Sequence, residues 1–185
     1  MRGHAVLFGV CTAVLGGAVG VPPAAAAGSA TATVEVLGIS GTSCTMQDTA
    51  IRPSENKSSV ALQWWLIAGP GSPNTCTVEV GIHCARPTGT VRVASEFIGA
   101  VTLAESTKAT IDVLTDFGTA SAPPTSVSFR GPKDWQPIEA EHRSPAPASV
   151  SCAQPIRARV TSTQTVTGSG EKDNLTTRLH TISVV

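Results

Sequence analysis

The densest cluster of chemically active side chains in this sequence consists of Glu139, Glu141 and His142, two carboxylates and one imidazole within four residues. Such groups serve as a general acid and base or as metal ligands. Their spacing does not match the H-E-x-x-H pattern, which places two histidines on one face of a helix. Prolines and charged residues surround the cluster, so we interpret it as part of a solvated loop. We therefore predict no catalytic residue, no metal site and no cofactor.

The three tryptophans are stronger candidates for a binding site. Trp64 and Trp65 are adjacent in an apolar run, and neighbouring side chains of a strand point to opposite faces of the sheet. One of them should lie in the core, and the other should lie outside or beneath a loop. Trp135 falls in a proline-rich segment that predicts a loop, where an indole either plugs the end of the fold or is presented to a partner. Exposed indoles are typical of surfaces that stack on sugars or bind proteins.

Four cysteines, Cys44, Cys76, Cys84 and Cys152, lie beyond the N-terminal region, and an even number in an exported chain indicates two disulfides. The residues between Cys76 and Cys84 alternate between polar and apolar, as those of a straight strand do. Such a strand would separate these two cysteines by roughly 26 Å, whereas a disulfide tolerates about 7 Å between its Cα atoms. We therefore predict long-range bridges, either Cys44–Cys76 with Cys84–Cys152 or the crossed arrangement, and not Cys76–Cys84.

The first 27 residues predict a secretory signal peptide. A positively charged start precedes an apolar run from Ala5 to Val21, and the small residues of Ala24–Ala27 supply a cleavage site. We expect residues 28–185 to form a single domain of a secreted, extracellular protein. No later apolar run approaches the roughly 20 residues that a membrane span requires.

The remainder of the chain predicts strands, because Val, Ile and Thr are frequent and fit a pleated surface. Alternating segments recur between glycines and prolines, with no amphipathic helix among them. The predicted strands are Thr33–Val36, Val60–Ala68, Thr77–His83, Thr90–Ala94, Phe97–Leu103, Ala109–Leu114, Ser126–Arg130, Ser149–Cys152, Ile156–Val166 and Leu175–Val184. We expect the last two to form a closing hairpin and Gly131–Pro147 to form a loop. Nine or ten short strands indicate an all-β fold, an antiparallel β-sandwich of immunoglobulin-like or similar type with two disulfides.

Charge and motif content favour a binding protein over an enzyme. The formal net charge is zero and the chain has no basic cluster, so we expect no nucleic-acid partner. No paired nucleophile and base stand out in the sequence. The predicted function is therefore non-enzymatic binding of an unknown extracellular protein or polysaccharide. Trp135 and whichever of Trp64 and Trp65 faces outward would carry that binding.

Two alternatives remain open on the sequence. The first is a secreted hydrolase whose site surrounds Glu139, Glu141 and His142. The second is a proteinaceous enzyme inhibitor, whose signature would be a rigid exposed loop held by a disulfide near Cys44 or Cys76.

Overall fold

A computed structural model describes residues 32–87, 91–118, 121, 123–143, 152, 156–168 and 170–184, without the side chains of His142 and Arg143. The all-β prediction is confirmed, since these residues form ten strands. The strands are β1 (Ala32–Gly41), β2 (Ala50–Pro53), β3 (Ser59–Ala68), β4 (Asn74–Cys84), β5 (Val93–Leu103), β6 (Lys108–Asp116), β7 (Thr125–Arg130), β8 (Lys133–Arg143), β9 (Ile156–Thr167) and β10 (Asn174–Val184). Nowhere in the described part of the chain is there a helix long and apolar enough to cross a membrane. The predicted signal peptide and residues 149–151 lie outside the described residues.

The strands form two antiparallel sheets of five strands each, packed as a sandwich. Sheet A has the order β1-β4-β9-β6-β7, and sheet B has the order β2-β3-β10-β5-β8. Alternation along most of the strands buries every second side chain between the sheets, whereas β2 and β7 have no fully buried residue. In β4, for example, Val78, Val80 and Ile82 are fully buried, as their spacing predicts. The outer face of each sheet is consequently exposed to solvent, where it is accessible to a ligand.

Two disulfides fix the ends of β4. Cys76 bonds to Cys44 in the β1–β2 loop with a Cα–Cα distance of 5.9 Å. Cys84 bonds to Cys152, ahead of β9, with a Cα–Cα distance of 5.5 Å. This is the first of the two long-range arrangements that the sequence predicts. Cys152 itself lies in a turn and not in the predicted strand.

The predicted closing hairpin is wrong, because β9 and β10 belong to different sheets. β9 pairs with β4 and β6 in sheet A, whereas β10 pairs with β3 and β5 in sheet B. Each strand has a neighbour on both sides and buries alternate side chains. The two strands therefore face each other across the core. They interact through their side chains and not through the backbone hydrogen bonds of a hairpin.

A buried carboxylate organises the turn between β9 and β10. Asp173 accepts hydrogen bonds from Thr107 Oγ1 at 2.7 Å, from the Ala104 N–H at 2.6 Å and from the Gly170 N–H at 3.1 Å. The hydrogen bond from Thr107, assisted by those from the two backbone groups, lowers the pKa of Asp173 against the opposing effect of burial. Asp173 thereby joins the β9–β10 turn to the β5–β6 turn at one end of the sandwich.

The predicted loop Gly131–Pro147 is also wrong over most of its described length, where β8 runs from Lys133 to Arg143. β8 is an edge strand that pairs only with β5. An edge strand accepts Pro137, because one side of such a strand needs no N–H donors. The predicted strands Thr90–Ala94 and Phe97–Leu103 likewise correspond to one continuous strand, β5, beginning at Val93.

Candidate functional site

Strand β3 is apolar on both faces, although only one face is covered. Leu62, Trp64 and Leu66 point into the core, and Trp64 is only 5% exposed. Trp65 and Ile67 point to the outer face of sheet B, where they are 56% and 52% exposed. The structure thus places one tryptophan inside and one outside, and Trp65 is open to solvent. An apolar outer face on a central part of the molecule marks this face as a candidate binding surface.

A β-bulge in β10 delivers a positive charge to the same face. Thr177 pairs with Gly99, but the next pairing along β10 is that of Leu179, so Arg178 is an extra residue without a cross-strand partner. The side chain of Arg178 is exposed. A Cβ atom at Gly99 would collide with the backbone carbonyl of Thr176. The glycine therefore permits the close approach of the two strands at the bulge.

A second bulge, near the start of β8, presents Trp135. The pairing of β8 with β5 skips between Val101 and Leu103, and Trp135 has a positive φ of 45°. This left-handed conformation costs a residue other than glycine about 1–2 kcal/mol. The Trp135 N–H donates to Thr102 Oγ1 at 3.3 Å, and the residue is 51% exposed. Trp135 therefore lies on a strand and not on the predicted loop, with its indole presented to solvent.

Arg178 brings the two exposed indoles together. Its guanidinium carbon lies 4.3 Å from the ring centroid of Trp65 and 5.6 Å from that of Trp135, both within the range of cation–π attraction. The two indoles, from strands separated by β10 and β5, thus share one cation. We define the aromatic surface as this trio together with the neighbouring exposed side chains on the same face. Its members are Trp65, Ile67, Ile98, Trp135 and Arg178.

Three glutamates lie beside the aromatic surface on the outer face of sheet B. Glu96, Glu139 and Glu141 line a groove of about 410 Å³ together with Ala94, Ser95 and Ser183. Burial raises the pKa of Glu96, as do its hydrogen bond with Glu139 and the negative charges of Glu139 and Glu141. The groove offers carboxyl oxygens to hydroxyl donors. No group of three His, Cys, Asp or Glu among the described residues could hold a metal ion.

The groove bears on the hydrolase alternative. Glycosidases typically hold their two carboxyl groups about 5 Å or more apart, whereas Glu139 is close enough to Glu96 to raise the pKa of Glu96 through a side-chain hydrogen bond. Glu139 and Glu141 lie on strand β8 and not in the predicted loop, and the His142 side chain is outside the described residues. The pair Glu96–Glu139 therefore does not match either glycosidase arrangement.

The β1–β2 loop bears on the inhibitor alternative. Cys44 anchors this loop through its disulfide, and Met46 beside it is exposed. However, Thr45 Oγ1 donates to Asp48 Oδ2 at 2.7 Å and accepts from the Asp48 N–H at 3.2 Å. Thr49 Oγ1 also donates to the Thr45 carbonyl at 2.7 Å. The segment is thus a closed turn, unlike the extended strand that inserts into a protease cleft.

The sequence did not identify Arg178, Glu96, Ile67 or Ile98 as part of a site. A signal for a bulge was present, because apolar residues occupy odd positions at Leu175 and Leu179 and even positions at Ile182 and Val184, but it points to the residues after Leu179 and not to Arg178. Such a change of parity within one strand predicts a bulge. For Glu96 we find no comparable signal, since its neighbours Glu139 and Glu141 reach it only through the pairing of β5 with β8.

No protein-family model matches this chain, and no curated protein matches it in sequence. Among solved structures it is similar to TmCBM61 in complex with β-1,4-galactotriose, with 15% identity over 78% of this chain and 82% of the other, and a TM-score of 0.31. It is also similar to a structure of carbohydrate-binding modules from the β-sandwich superfamily, with 11% identity over 84% of this chain and 57% of the other, and a TM-score of 0.29.

A third similar structure is the enzymatically active domain of tailspike protein 4 of bacteriophage CBA120. Its identity is 14%, over 84% of this chain and 19% of the other, with a TM-score of 0.24. Identities and TM-scores of this size transfer neither a ligand nor an activity. The chemistry of the surface must therefore come from its own side chains.

Proposed function

We propose that this chain is a secreted, non-enzymatic binding protein that holds a polysaccharide on its aromatic surface. The observation that carries this proposal is the meeting of Trp65 and Trp135, both about half exposed, on the single guanidinium of Arg178. The two indoles come from different strands, and two separate bulges are needed to bring Arg178 and Trp135 into place.

The arrangement costs stability, which points to a function. A buried indole removes about 150–250 Å² from water, worth roughly 25 cal/mol per Å², and two indoles here forgo much of that gain. Trp135 adds the cost of its left-handed backbone. Strained residues and exposed apolar patches are concentrated at binding sites. A bound ligand would cover both rings and offset these costs.

The mixture of groups suits a sugar better than a protein. A pyranose ring offers an apolar C–H face, which stacks on an indole, and hydroxyls at its edge. Here the indoles adjoin a donor in Arg178, and acceptors in Glu96 and Glu139 lie farther along β5 and β8 on the same face. The central part of a protein–protein interface, in contrast, is depleted of acidic residues.

The two disulfides support an extracellular location, because such bonds persist in oxidising compartments. Together with the signal-peptide pattern of the first 27 residues, they support secretion of a single domain covering residues 28–185. N-terminal sequencing of the protein from the culture medium of its host would test this location.

Affinity gel electrophoresis tests the binding function. The purified protein is run in gels that contain hydroxyethyl cellulose, galactan, xylan or polygalacturonate, beside Trp65→Ala and Trp135→Ala. Leu37→Ala and Leu114→Ala are matched controls, since both leucines are exposed on sheet A. We expect at least one polysaccharide to retard the parent, each tryptophan variant to bind about tenfold more weakly or worse, and the controls to bind normally.

Two results would overturn the proposal. One is a parent protein that migrates unretarded in every gel. The other is retardation that the tryptophan variants share with the parent. Thermal unfolding of each variant separates a loss of binding from a loss of folding.

A further inference from the structure

We infer that the bound polysaccharide carries carboxylate groups, as a uronate polymer does, and that Arg178 is the residue that selects them. This inference rests on the proposed function and specifies its ligand. Arg178 lies in the middle of the aromatic surface, with an indole on either side.

No carboxylate of the described residues forms an ion pair with the guanidinium of Arg178. Among the described residues it contacts the two rings but makes no hydrogen bond and no ion pair. Arg157 on sheet A, in contrast, pairs with Glu79 at 3.3 Å. Acidic residues do lie on the same face as Arg178, yet none of the described ones forms an ion pair with it. The donors of Arg178 are therefore left for an external acceptor.

Stacking prepares this arginine for a planar acceptor. A guanidinium carries five N–H donors in a planar fork that matches both oxygens of a carboxylate. The guanidinium carbon lies 4.3 Å from the centroid of the Trp65 ring, and its N–H groups make no hydrogen bond with the described residues. Because the stacked side chain is already ordered, less conformational entropy is lost when a ligand binds.

A uronate sugar satisfies the whole surface. Its C–H face stacks on Trp65 or Trp135, and the carboxylate at the edge of the ring reaches Arg178. A neutral sugar would stack equally well but would leave the guanidinium without a counter-charge. The glutamate groove lies farther along β5 and β8 and would repel further uronates. The polymer should therefore cross the strands from β3 to β8 and not run along them.

The matched ligands for a test are polygalacturonate and its fully methyl-esterified form, which have the same backbone with and without the negative charge. We expect isothermal titration to show that the parent binds the acid about tenfold more tightly or better, since charge-assisted hydrogen bonds are roughly twice as strong as neutral ones. That preference should shrink as salt is raised.

Variants at Arg178 assign the preference. Arg178→Met keeps an apolar side chain against the indoles and should bind both polymers with equal, weak affinity. Arg178→Lys keeps the charge without the fork and should retain part of the preference. Arg159→Met is the matched control, because Arg159 is exposed on sheet A. It should keep the full preference.

The outcomes separate the two proposals. If the parent binds acid and ester equally, or if Arg178→Met keeps the preference, Arg178 does not select a carboxylate. If, in a further test, the parent binds dextran sulfate more tightly than dextran in a way that depends on Arg178, yet binds polygalacturonate and its ester with equal affinity, the recognised anion is a sulfate. The uronate assignment is then wrong. If Trp65→Ala binds all of these polymers as the parent does, the proposed function itself fails.

Discussion

The left-handed backbone of Trp135 gives a stability prediction whose sign is unusual. Replacing an alanine by glycine within a strand ordinarily destabilises a protein by roughly 0.5–1 kcal/mol, because glycine loses more conformational freedom on folding. At Trp135, with φ of 45°, any side chain with a Cβ atom carries a strain of about 1–2 kcal/mol that glycine avoids. The strain that glycine avoids at this position is larger than the conformational entropy that it loses. We therefore expect Trp135→Gly to be more stable than Trp135→Ala by about 0.5–1 kcal/mol.

The comparison of the two variants removes the contribution of the indole, since both lack it. Urea denaturation followed by the fluorescence of the buried Trp64 measures the free energy of unfolding of each. The matched control is the same pair of substitutions at Leu114, which is exposed on β6 and lacks a positive φ. There the glycine variant should be the less stable one by about 0.5–1 kcal/mol.

This reasoning would be refuted if the glycine variant at Trp135 were less stable than the alanine variant by as much as at Leu114. It would show that Trp135 carries no backbone strain, and only the exposure of the two indoles would then support a functional surface. Both variants at Trp135 should also lose polysaccharide binding, because neither presents a ring.

Three further predictions concern the framework of the sandwich. Asp173→Asn should lower the free energy of unfolding by about 2–3 kcal/mol at neutral pH. Because the pKa of Asp173 in the folded protein is lowered from its ordinary value of 3.8, the difference between parent and variant should be complete above pH 3.8 and should vanish as the pH falls through the lowered pKa. Denaturation at a series of acidic pH values measures this difference. Removing a disulfide by paired serine substitutions should lower the stability measured by thermal unfolding by about 2–4 kcal/mol. The loss should be larger for Cys84–Cys152, since this bond spans 68 residues and Cys44–Cys76 spans 32. An equal loss for both bonds would count against the chain-entropy explanation. Gly99→Ala should cost about 1–3 kcal/mol and weaken polysaccharide binding, because its Cβ atom disturbs the bulge at Arg178, whereas Gly38→Ala on sheet A has room for a methyl group and should bind normally.

Period-2 alternation predicted the sheet content well, because a sandwich buries one face of nearly every strand. Val78 shows the reason, since it is fully buried between the half-buried polar residues Thr77 and Glu79. The same alternation, together with strand length, was sufficient to exclude a bond between Cys76 and Cys84. Local rules work here because they follow directly from the geometry of one strand.

Pairing between strands could not be predicted in the same way. β9 and β10 have the alternation of a hairpin, yet they occupy different sheets, since alternation reports which face is buried but not which strand lies alongside. β8 was missed because Pro137 and the many charges around it resemble a loop. An edge strand with an exposed face accepts such residues, and whether a strand lies at an edge is a property of the complete sheet.

The candidate surface was predicted only as far as its tryptophans. Trp65 and Trp135 are far apart in sequence, and Arg178, which joins them, depends on a bulge that Gly99 of another strand makes possible. Residue type and alternation indicated that one of Trp64 and Trp65 faces outward, but not which one, and left open whether Trp135 is exposed. Only the folded structure shows that both indoles contact the same guanidinium.

Nuclear magnetic resonance of the indole N–H groups tests the binding surface most directly. The chain has three tryptophans, so a ¹⁵N-labelled sample gives three indole signals that Trp64→Phe, Trp65→Phe and Trp135→Phe assign. On titration with oligogalacturonate and then with cello-oligosaccharide, we expect at least one of these ligands to shift the signals of Trp65 and Trp135 while that of Trp64 stays in place. Saturating ligand that leaves both exposed indoles unmoved would contradict the proposal that this face binds polysaccharide.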